Sequence, residues 1–178
     1  LDTDDAIGFS VTGASLDLII VKEGAGTRSW MGVAANVNAM GVHGLPDAFD
    51  LEILNLALRY NGKAADASKL DWAALAALPG NAFGIDGTGL ATITRATDIA
   101  ITGKLYLNLS GFVIVLAGFS IDQQSGIAVD DTKGVSIPLA PPGQPGANVL
   151  MIRLTSAYLF VGVDGVINKA GYPNADAA

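Results

Sequence analysis

The chain alternates between apolar and polar residues over much of its length, and this alternation predicts β-strands. In Lys104–Ser110, Leu105, Leu107 and Leu109 fall on one side of an extended strand and polar side chains on the other. Leu51–Tyr60 could form a helix or a strand, but its apolar residues from Leu54 to Tyr60 follow a period of two and end at a turn-forming Asn-Gly pair, which favours a strand. These segments are expected to be strands.

Other apolar stretches predict further strands. Phe112–Ala117 is apolar at every position, which is typical of a strand covered on both faces, and Gly118 with Gln123–Gly126 is expected to end its hairpin. Ala14–Val21 is also strand-like and closes at the turn Gly24–Gly26. The predicted fold class is all-β and antiparallel, either elongated and solenoid-like or a sandwich.

One short helix is predicted near residues 68–78. Ser68 with Asp71 resembles a capping box, and Pro79-Gly80 is a stop signal. The predicted apolar face of the helix consists of Leu70, Ala74 and Leu78. We expect this helix to cover an edge of the sheet.

A pattern of large apolar, Gly, β-branched, polar and Gly residues occurs three times. Two glycines around a β-branched residue allow a turn with positive φ while the branched side chain stays in the core, so a structural role is favoured. The alternative is that the three polar residues form equivalent sites along one edge. The copies are Met40–Gly44 (Gly41, Val42, His43, Gly44), Phe83–Gly87 (Gly84, Ile85, Asp86, Gly87) and Val161–Gly165 (Gly162, Val163, Asp164, Gly165).

A shorter repeat, Val11-Thr12-Gly13 and Ile101-Thr102-Gly103, precedes two predicted long strands. Such self-similarity is typical of stacked units. We therefore expect residues 1–178 to form a single repeat-built β segment of a larger protein, with a linker at the proline-rich residues 138–145. Its candidate subunits are residues 1–62, 63–126 and 127–178.

The composition excludes several functions. Ten Lys and Arg against 17 Asp and Glu give a formal net charge of −7, so the surface should repel nucleic acid and anionic membranes. The chain has no cysteine, which removes disulfides, thiolate metal sites and cysteine nucleophiles. Its apolar stretches fall short of the ~20 residues that a transmembrane helix needs. The first residues have no initiator Met, so we expect the segment to lie inside a longer product.

Catalytic candidates are few because His43 is the only histidine. A Ser-His-Asp hydrolase needs an imidazole held by a carboxylate, and Asp47 and Asp50 lie nearby in sequence. The chain contains no Gly-x-Ser-x-Gly motif, and one histidine excludes a histidine-based zinc site. A polar turn residue is the favoured interpretation of His43.

Calcium is the metal that the acidic clusters would suit, because it prefers oxygen ligands. Neither cluster fits an EF-hand loop, so solvated turn acids are favoured and no cofactor is predicted, with calcium as the alternative. The candidate residues are Asp2, Asp4, Asp5, Asp130 and Asp131.

Several glycine-bounded elements carry a family resemblance. They are Gly13–Leu18, Gly41–Leu45, Ile101–Gly103, Gly111-Phe112, Gly118–Ile121 and Phe160–Gly165. In this order they resemble the long repeats of giant exported bacterial proteins, many described as calcium-binding or adhesin-like. The resemblance implies an extracellular, repetitive β structure without enzymatic activity. It assigns no functional residues, because the shared positions are turn glycines and apolar strand residues.

The function predicted is a structural or adhesive segment of a secreted or cell-surface bacterial protein. Its excess of apolar strand surface must be covered by a packed second layer, by a neighbouring repeat or copy, or by an apolar ligand such as a lipid. Neighbouring repeats or copies of the chain are the predicted partners. The alternative function is a hydrolase or a β module that binds a lipid or another apolar ligand.

Overall fold

The computed structural model describes residues 7–44, 46, 49–80, 84–127, 129–130, 136–137 and 147–165. Six long strands form one antiparallel sheet in the order β1-β2-β3-β4-β5-β8, and β6 pairs with β7 in a separate ribbon. The predicted all-β, antiparallel class is confirmed. The strands are β1 (Gly8–Lys22), β2 (Ser29–His43), β3 (Phe49–Gly62), β4 (Thr97–Leu109), β5 (Val113–Ile127), β6 (Val129–Asp130), β7 (Ser136–Ile137) and β8 (Ala147–Val161).

β5 is longer than its sequence pattern indicates. It passes through Gly118 and continues to Ile127, so the prediction that residues 123–126 end the hairpin is wrong. Gly118 lies against β8, where a Cβ would come within 2.5 Å of the Thr155 hydroxyl oxygen. Pairing with β8 therefore explains both the glycine and the extra length of the strand. The predicted linker at 138–145 lies outside the described residues.

The segment between β3 and β4 forms a cap on the sheet, which we define as residues 63–80 and 84–96. It contains helix α1 (Trp72–Ala76) and two 3-10 helices, Ile85–Gly87 and Gly89–Thr92. The short helix expected near 68–78 is confirmed. The cap lies on one face of the sheet, where it packs over β2 and over Ile19 and Val21 of the edge strand β1.

The start of α1 differs from the sequence prediction. Asp71 is the N-cap, and its side chain accepts a hydrogen bond from Ala74 N at 2.9 Å. The Ser68 hydroxyl instead accepts from Trp30 Nε1 of β2 at 3.2 Å, so a tertiary contact takes the residue that resembled a cap. The predicted apolar stripe is also wrong, because Leu78 is exposed and Trp72 is the buried residue of the helix.

The main core lies between the cap and the sheet, around Trp72. Gly32 of β2 leaves room for the indole, since a Cβ there would come within 2.7 Å of Trp72 Cε2. Trp72 Nε1 donates to Asn61 Oδ1 at 2.9 Å, and Asn61 Nδ2 donates to the carbonyls of Leu70 and Thr94, both at 2.9 Å. The buried polar atoms of the Trp72 and Asn61 side chains are thus paired. The core residues are Trp30, Ala34, Ala64, Trp72, Ile85, Leu90 and Ile93.

Candidate functional site

The strand register shows which residues share a face of the sheet. β4 and β5 pair without interruption from Ile99 and Gln123 to Leu109 and Val113. Because cross-strand partners lie on one face and successive residues alternate, the odd-numbered residues of both strands share a face over this span. The alternation predicted for 104–110 is confirmed.

β3 changes its alternation at Asn55, whose φ is 50°. Before this residue Ile53 pairs with Leu105, and after it Leu58 pairs with Ile101. Since Leu105 and Ile101 share a face, Ile53 and Leu58 also share that face, although one number is odd and the other even. Asn55 is therefore a β-bulge that keeps the apolar side chains of β3 on one face.

The edge strands contain equivalent irregularities. Gly13 in β1 has φ 63° and Ser156 in β8 has φ 48°. In both strands the apolar residues change between even and odd numbers across the irregular residue, while the pairing with the neighbouring strand continues. Gly13, Asn55 and Ser156 lie on one line across the sheet. Because these strands change their alternation at the same line, apolar residues of neighbouring strands stay on the same face on both sides of it.

The repeated Thr-Gly pairs lie on the same line. Gly13 and Gly103 are inside β1 and β4 and do not precede a strand, so the predicted position of both tripeptides is wrong. Gly103 accommodates the ring of Phe119, since a Cβ there would come within 2.9 Å of Phe119 Cζ. The small residues at this line are thus required by close packing and by positive φ.

One face of the sheet is apolar across all six strands, and we call it the apolar face. Among the described residues its one charged side chain is Lys22, at the very end of β1, and its polar groups include the amides of Gln123 and Asn148 and the hydroxyl of Tyr60. It consists of Phe9, Val11, Ala14, Leu16, Leu18, Ile20, Met31, Val33, Ala35, Val37, Met40, Val42, Phe49, Leu51, Ile53, Leu56, Leu58, Tyr60, Ile99, Ile101, Gly103, Leu105, Leu107, Leu109, Val113, Val115, Ala117, Phe119, Ile121, Gln123, Leu150, Ile152, Leu154, Leu159 and Val161.

The opposite face carries the charged residues of the sheet, and we call it the polar face. Lys22 is the exception: it lies two residues after Ile20 and so falls on the apolar face, at the last position of β1. The cap packs on the polar face and leaves the apolar face open. The charged residues of the polar face are Asp17, Asp50, Glu52, Arg59, Asp98, Lys104, Asp122 and Arg153.

Exposure of the apolar face is highest along the two edge strands. Leu16 in β1 is 67% exposed and Leu154 in β8 is 69% exposed. Leu58 and Leu107 in the middle strands are half-buried, because they have neighbours on both sides. The face is thus a layer of neighbouring apolar side chains that is most exposed at its two edges.

The polar face has a second, smaller core away from the cap. Tyr106, Ile114 and Leu116 are buried there. Tyr158 and Phe160 of β8 lie opposite Leu116 and Ile114 in the strand register. Both faces of the sheet are therefore apolar at this end of β5, which explains why its sequence does not alternate.

The third pentapeptide packs against Phe160 at the end of β8. Gly162 N donates to Phe112 O at 2.9 Å, and Gly165 N donates to Gly111 O at 3.1 Å. The Phe160 ring lies so close to Gly162 that a Cβ there would come within 2.6 Å of Phe160 Cζ. Close packing against Phe160 thus explains these two glycines, and neither has the positive φ that the pattern predicts.

The three pentapeptides differ in local structure. Gly44 follows β2 with φ 73°, and Gly84 with φ 60° begins the 3-10 helix of the second copy. In the third copy Asp164 has φ 55°. Ile85 is buried as expected of the β-branched position, whereas Val163 is 68% exposed.

The polar residues of the three copies do not come together. His43 ends β2 and Asp164 follows β8, with three strands between them at the end of the sheet away from the cap. Asp86 is exposed in the cap. The side chain of His43 and the position of Asp47 lie outside the described part of the chain, so the hydrolase alternative stays a prediction.

The acidic clusters considered for calcium are mostly outside the described residues. Asp2, Asp4, Asp5 and Asp131 fall outside them, and Asp130 belongs to β6. Among the residues that the structure describes, no three His, Cys, Asp or Glu side chains are grouped as a metal site would require.

A buried ion pair joins the cap to the sheet. Lys69 Nζ lies 3.0 Å from Asp98 Oδ1 of β4, and it also donates to Ser125 Oγ of β5 at 3.1 Å. The carbonyls of Ala96 and Thr97 accept from the same ammonium at 3.1 and 3.0 Å. An ammonium with so many acceptors is suited to holding these elements together.

Burial and hydrogen bonding oppose each other in this pair. Burial acts to raise the pKa of Asp98, but hydrogen bonds from Lys69 and Ser125 prevail and hold this pKa below its ordinary value. Burial lowers the pKa of Lys69 despite the nearby carboxylate. Asp98 Oδ2 is buried without a hydrogen-bond partner among the described residues, so the carboxylate depends on its cationic neighbours.

Two further findings bear on function. Within the described ranges, no helix combines the length and apolar character needed to span a membrane. Comparison with protein-family models, curated proteins and solved structures finds no match to this chain.

Proposed function

We propose that this chain is a structural or adhesive segment that works by burying its apolar face against protein, either neighbouring repeats, further copies of itself or a partner. The observation that supports the proposal is an apolar face that crosses six strands, with Lys22 at the end of β1 as its one charged residue among those described. A secreted or cell-surface bacterial protein is the setting that the sequence resemblance implies.

The size of the apolar face supports a contact role. Six strands spaced ~4.8 Å apart, with lengths near 13 residues at ~3.3 Å per residue, cover roughly 1,000 Å² in projection. Soluble monomers rarely expose contiguous apolar patches larger than a few hundred Å². Stable interfaces bury about 800 Å² on each partner. The apolar face is thus large enough to form one.

Continuity of the apolar face has a conformational cost, which also supports the proposal. Asn55 and Ser156 hold positive φ without being glycine, at a cost of roughly 1 kcal/mol each. Without these bulges, the two ends of β3 and β8 would turn their apolar residues to opposite faces. A sheet that keeps one face apolar from end to end is suited to packing against another layer.

A lysine in the middle of the apolar face tests this proposal. Leu107 pairs with Leu51 and Val115 and is half-buried. We expect Leu107→Lys to weaken association of the chain about 100-fold in sedimentation velocity, because it places an unpaired charge in an apolar contact. Thr102→Lys is the matched control: Thr102 is exposed on the polar face of the same strand, and this variant should associate like the wild type.

Two outcomes of this experiment contradict the proposal. One is a wild-type chain that stays monomeric and binds no protein partner, with folded Leu107→Lys and Thr102→Lys variants behaving identically. The other is co-purification of lipid with the wild type and its loss from Leu107→Lys, which supports the apolar-ligand alternative. Far-UV circular dichroism of each variant checks that the strands have formed.

A further inference from the structure

The two edges of the sheet are complementary in direction. Each of the six strands is antiparallel to its neighbour, so β1 and β8 run in opposite directions. A second copy placed beside the first by translation alone has its β1 antiparallel to β8, with both apolar faces on the same side. Among the residues that the structure describes, β1 pairs with β2 alone and β8 with β5 alone, so alternate backbone N–H and C=O groups of each point outward.

These edges have few of the features that protect edge strands. β1 and β8 are each 15 residues long and contain no proline. Proteins commonly protect an edge with short strands, prolines or several charges. Most of the large apolar residues that the described structure exposes lie on these two strands: Phe9, Val11, Leu16, Leu18, Ile20, Leu150, Met151, Ile152, Leu154, Tyr158, Leu159, Phe160 and Val161.

One charged residue lies in the interior of each edge strand, and the two have opposite signs. Asp17 of β1 and Arg153 of β8 both belong to the polar face. Arg153 is exposed, and its Nη2 makes a weak contact of 3.5 Å with Met151 Sδ. A carboxylate opposite this guanidinium is a stronger hydrogen-bond acceptor than the thioether.

Placing Asp17 opposite Arg153 also aligns the apolar residues of the two edges. The irregular residues Gly13 and Ser156 then come within one position of each other, so the alignment holds on both sides of them. The aligned pairs are Phe9 with Val161, Val11 with Leu159, Leu16 with Leu154, Leu18 with Ile152, and Ile20 with Leu150.

We propose that copies of this chain associate edge to edge, with β8 of one copy pairing antiparallel to β1 of the next and Asp17 opposite Arg153. The inference rests on the proposed structural role and adds the strand edges to the apolar face as a contact surface. Because the contact is heterologous and leaves an edge at each end, it extends into a linear array. The apolar face then continues from copy to copy.

Charge reversal tests the register. Asp17→Arg places two arginines opposite each other, and Arg153→Asp places two aspartates there. Loss of an opposite-charge pair together with like-charge repulsion predicts about tenfold weaker association for each variant. The double variant restores opposite charges and should associate like the wild type in sedimentation velocity. An equimolar mixture of the two single variants should also assemble.

Matched controls separate the register from net charge. Asp86→Arg and Arg95→Asp change the net charge by the same amounts at exposed residues outside the strands, and should leave association unchanged. The inference is overturned if the double variant and the mixture associate as weakly as the single variants. It is also overturned if the control substitutions weaken association as much as the charge reversals do. If charge reversal has no effect while Leu107→Lys disrupts assembly, the edge contact fails and the apolar-face proposal stands. If charge reversal weakens association while Leu107→Lys has no effect, the apolar-face proposal fails and the edge contact stands.

Discussion

Replacing Lys69 by methionine is expected to lower the free energy of unfolding by about 3 kcal/mol. The side chains of Lys69 and Asp98 are 6% and 10% exposed, with their charged atoms 3.0 Å apart. Methionine keeps most of the aliphatic chain but leaves Asp98 as a buried carboxylate. The remaining cation, Lys63, is 3.4 Å away and exposed. Chemical denaturation at neutral pH measures the loss.

Lys63→Met is the matched control for this experiment. It removes a cation from the same carboxylate at an exposed position, so we expect a loss of about 1 kcal/mol or less. Equal losses for the two variants would contradict the role of Lys69.

The pH dependence gives an independent check. The lowered pKa of Asp98 contributes stability above the pKa of the unfolded state, and this contribution is lost as pH falls through the folded-state pKa. Without Lys69, burial raises the pKa of Asp98 and penalises its charged form. The stability difference between wild type and Lys69→Met should therefore narrow as pH falls from the raised Asp98 pKa of the variant to the lowered Asp98 pKa of the wild type, on either side of the ordinary carboxyl value of about 4.

Trp72→Ala is expected to cost about 4 kcal/mol, in the range for removing a buried aromatic side chain. Trp72 is 1% exposed between the cap and the sheet. The substitution leaves a cavity above Gly32 and removes the indole N–H that Asn61 Oδ1 accepts. Equilibrium denaturation measures the loss, and Trp30 provides a fluorescence signal in the variant.

The control for Trp72→Ala is Leu78→Ala. Leu78 belongs to the same cap but is 56% exposed, so we expect a change within about 0.5 kcal/mol. If the two substitutions have similar effects, the cap does not form the core described here.

The strands of this sheet were predictable because alternation is a local property. Leu51–Tyr60 lies in β3 as expected, but the period of two does not run through it. Leu54 faces the polar side with Lys104, whereas Leu58 faces the apolar side with Ile101. Asn55 causes the change, and one asparagine in a strand gives no distinct sequence signal for a bulge.

The helix boundary shows a different limit. Ser68 and Asp71 both suit a helix N-cap, and the sequence favours Ser68 through its spacing to Asp71. The indole of Trp30, 38 residues earlier in the chain, binds the Ser68 hydroxyl and leaves Asp71 as the cap. Local patterns cannot anticipate such a tertiary contact.

The candidate surface was only partly predictable. The excess of apolar strand residues indicated that some surface must be covered, but continuity across six strands depends on the register at Gly13, Asn55 and Ser156. Complementarity of Asp17 and Arg153 depends in turn on which strands form the edges. Strand order is a long-range property that neither residue reveals by itself.

Thiol labelling measures whether the apolar face is a contact surface. The chain has no cysteine, so Leu58→Cys and Thr102→Cys each introduce a single thiol, on the apolar and polar faces respectively. We expect maleimide to label Leu58→Cys slowly at high protein concentration and faster on dilution, while Thr102→Cys labels at one rate throughout. Labelling of Leu58→Cys at the same rate at every concentration, in a chain that binds no partner, would mean that the apolar face is not a contact surface.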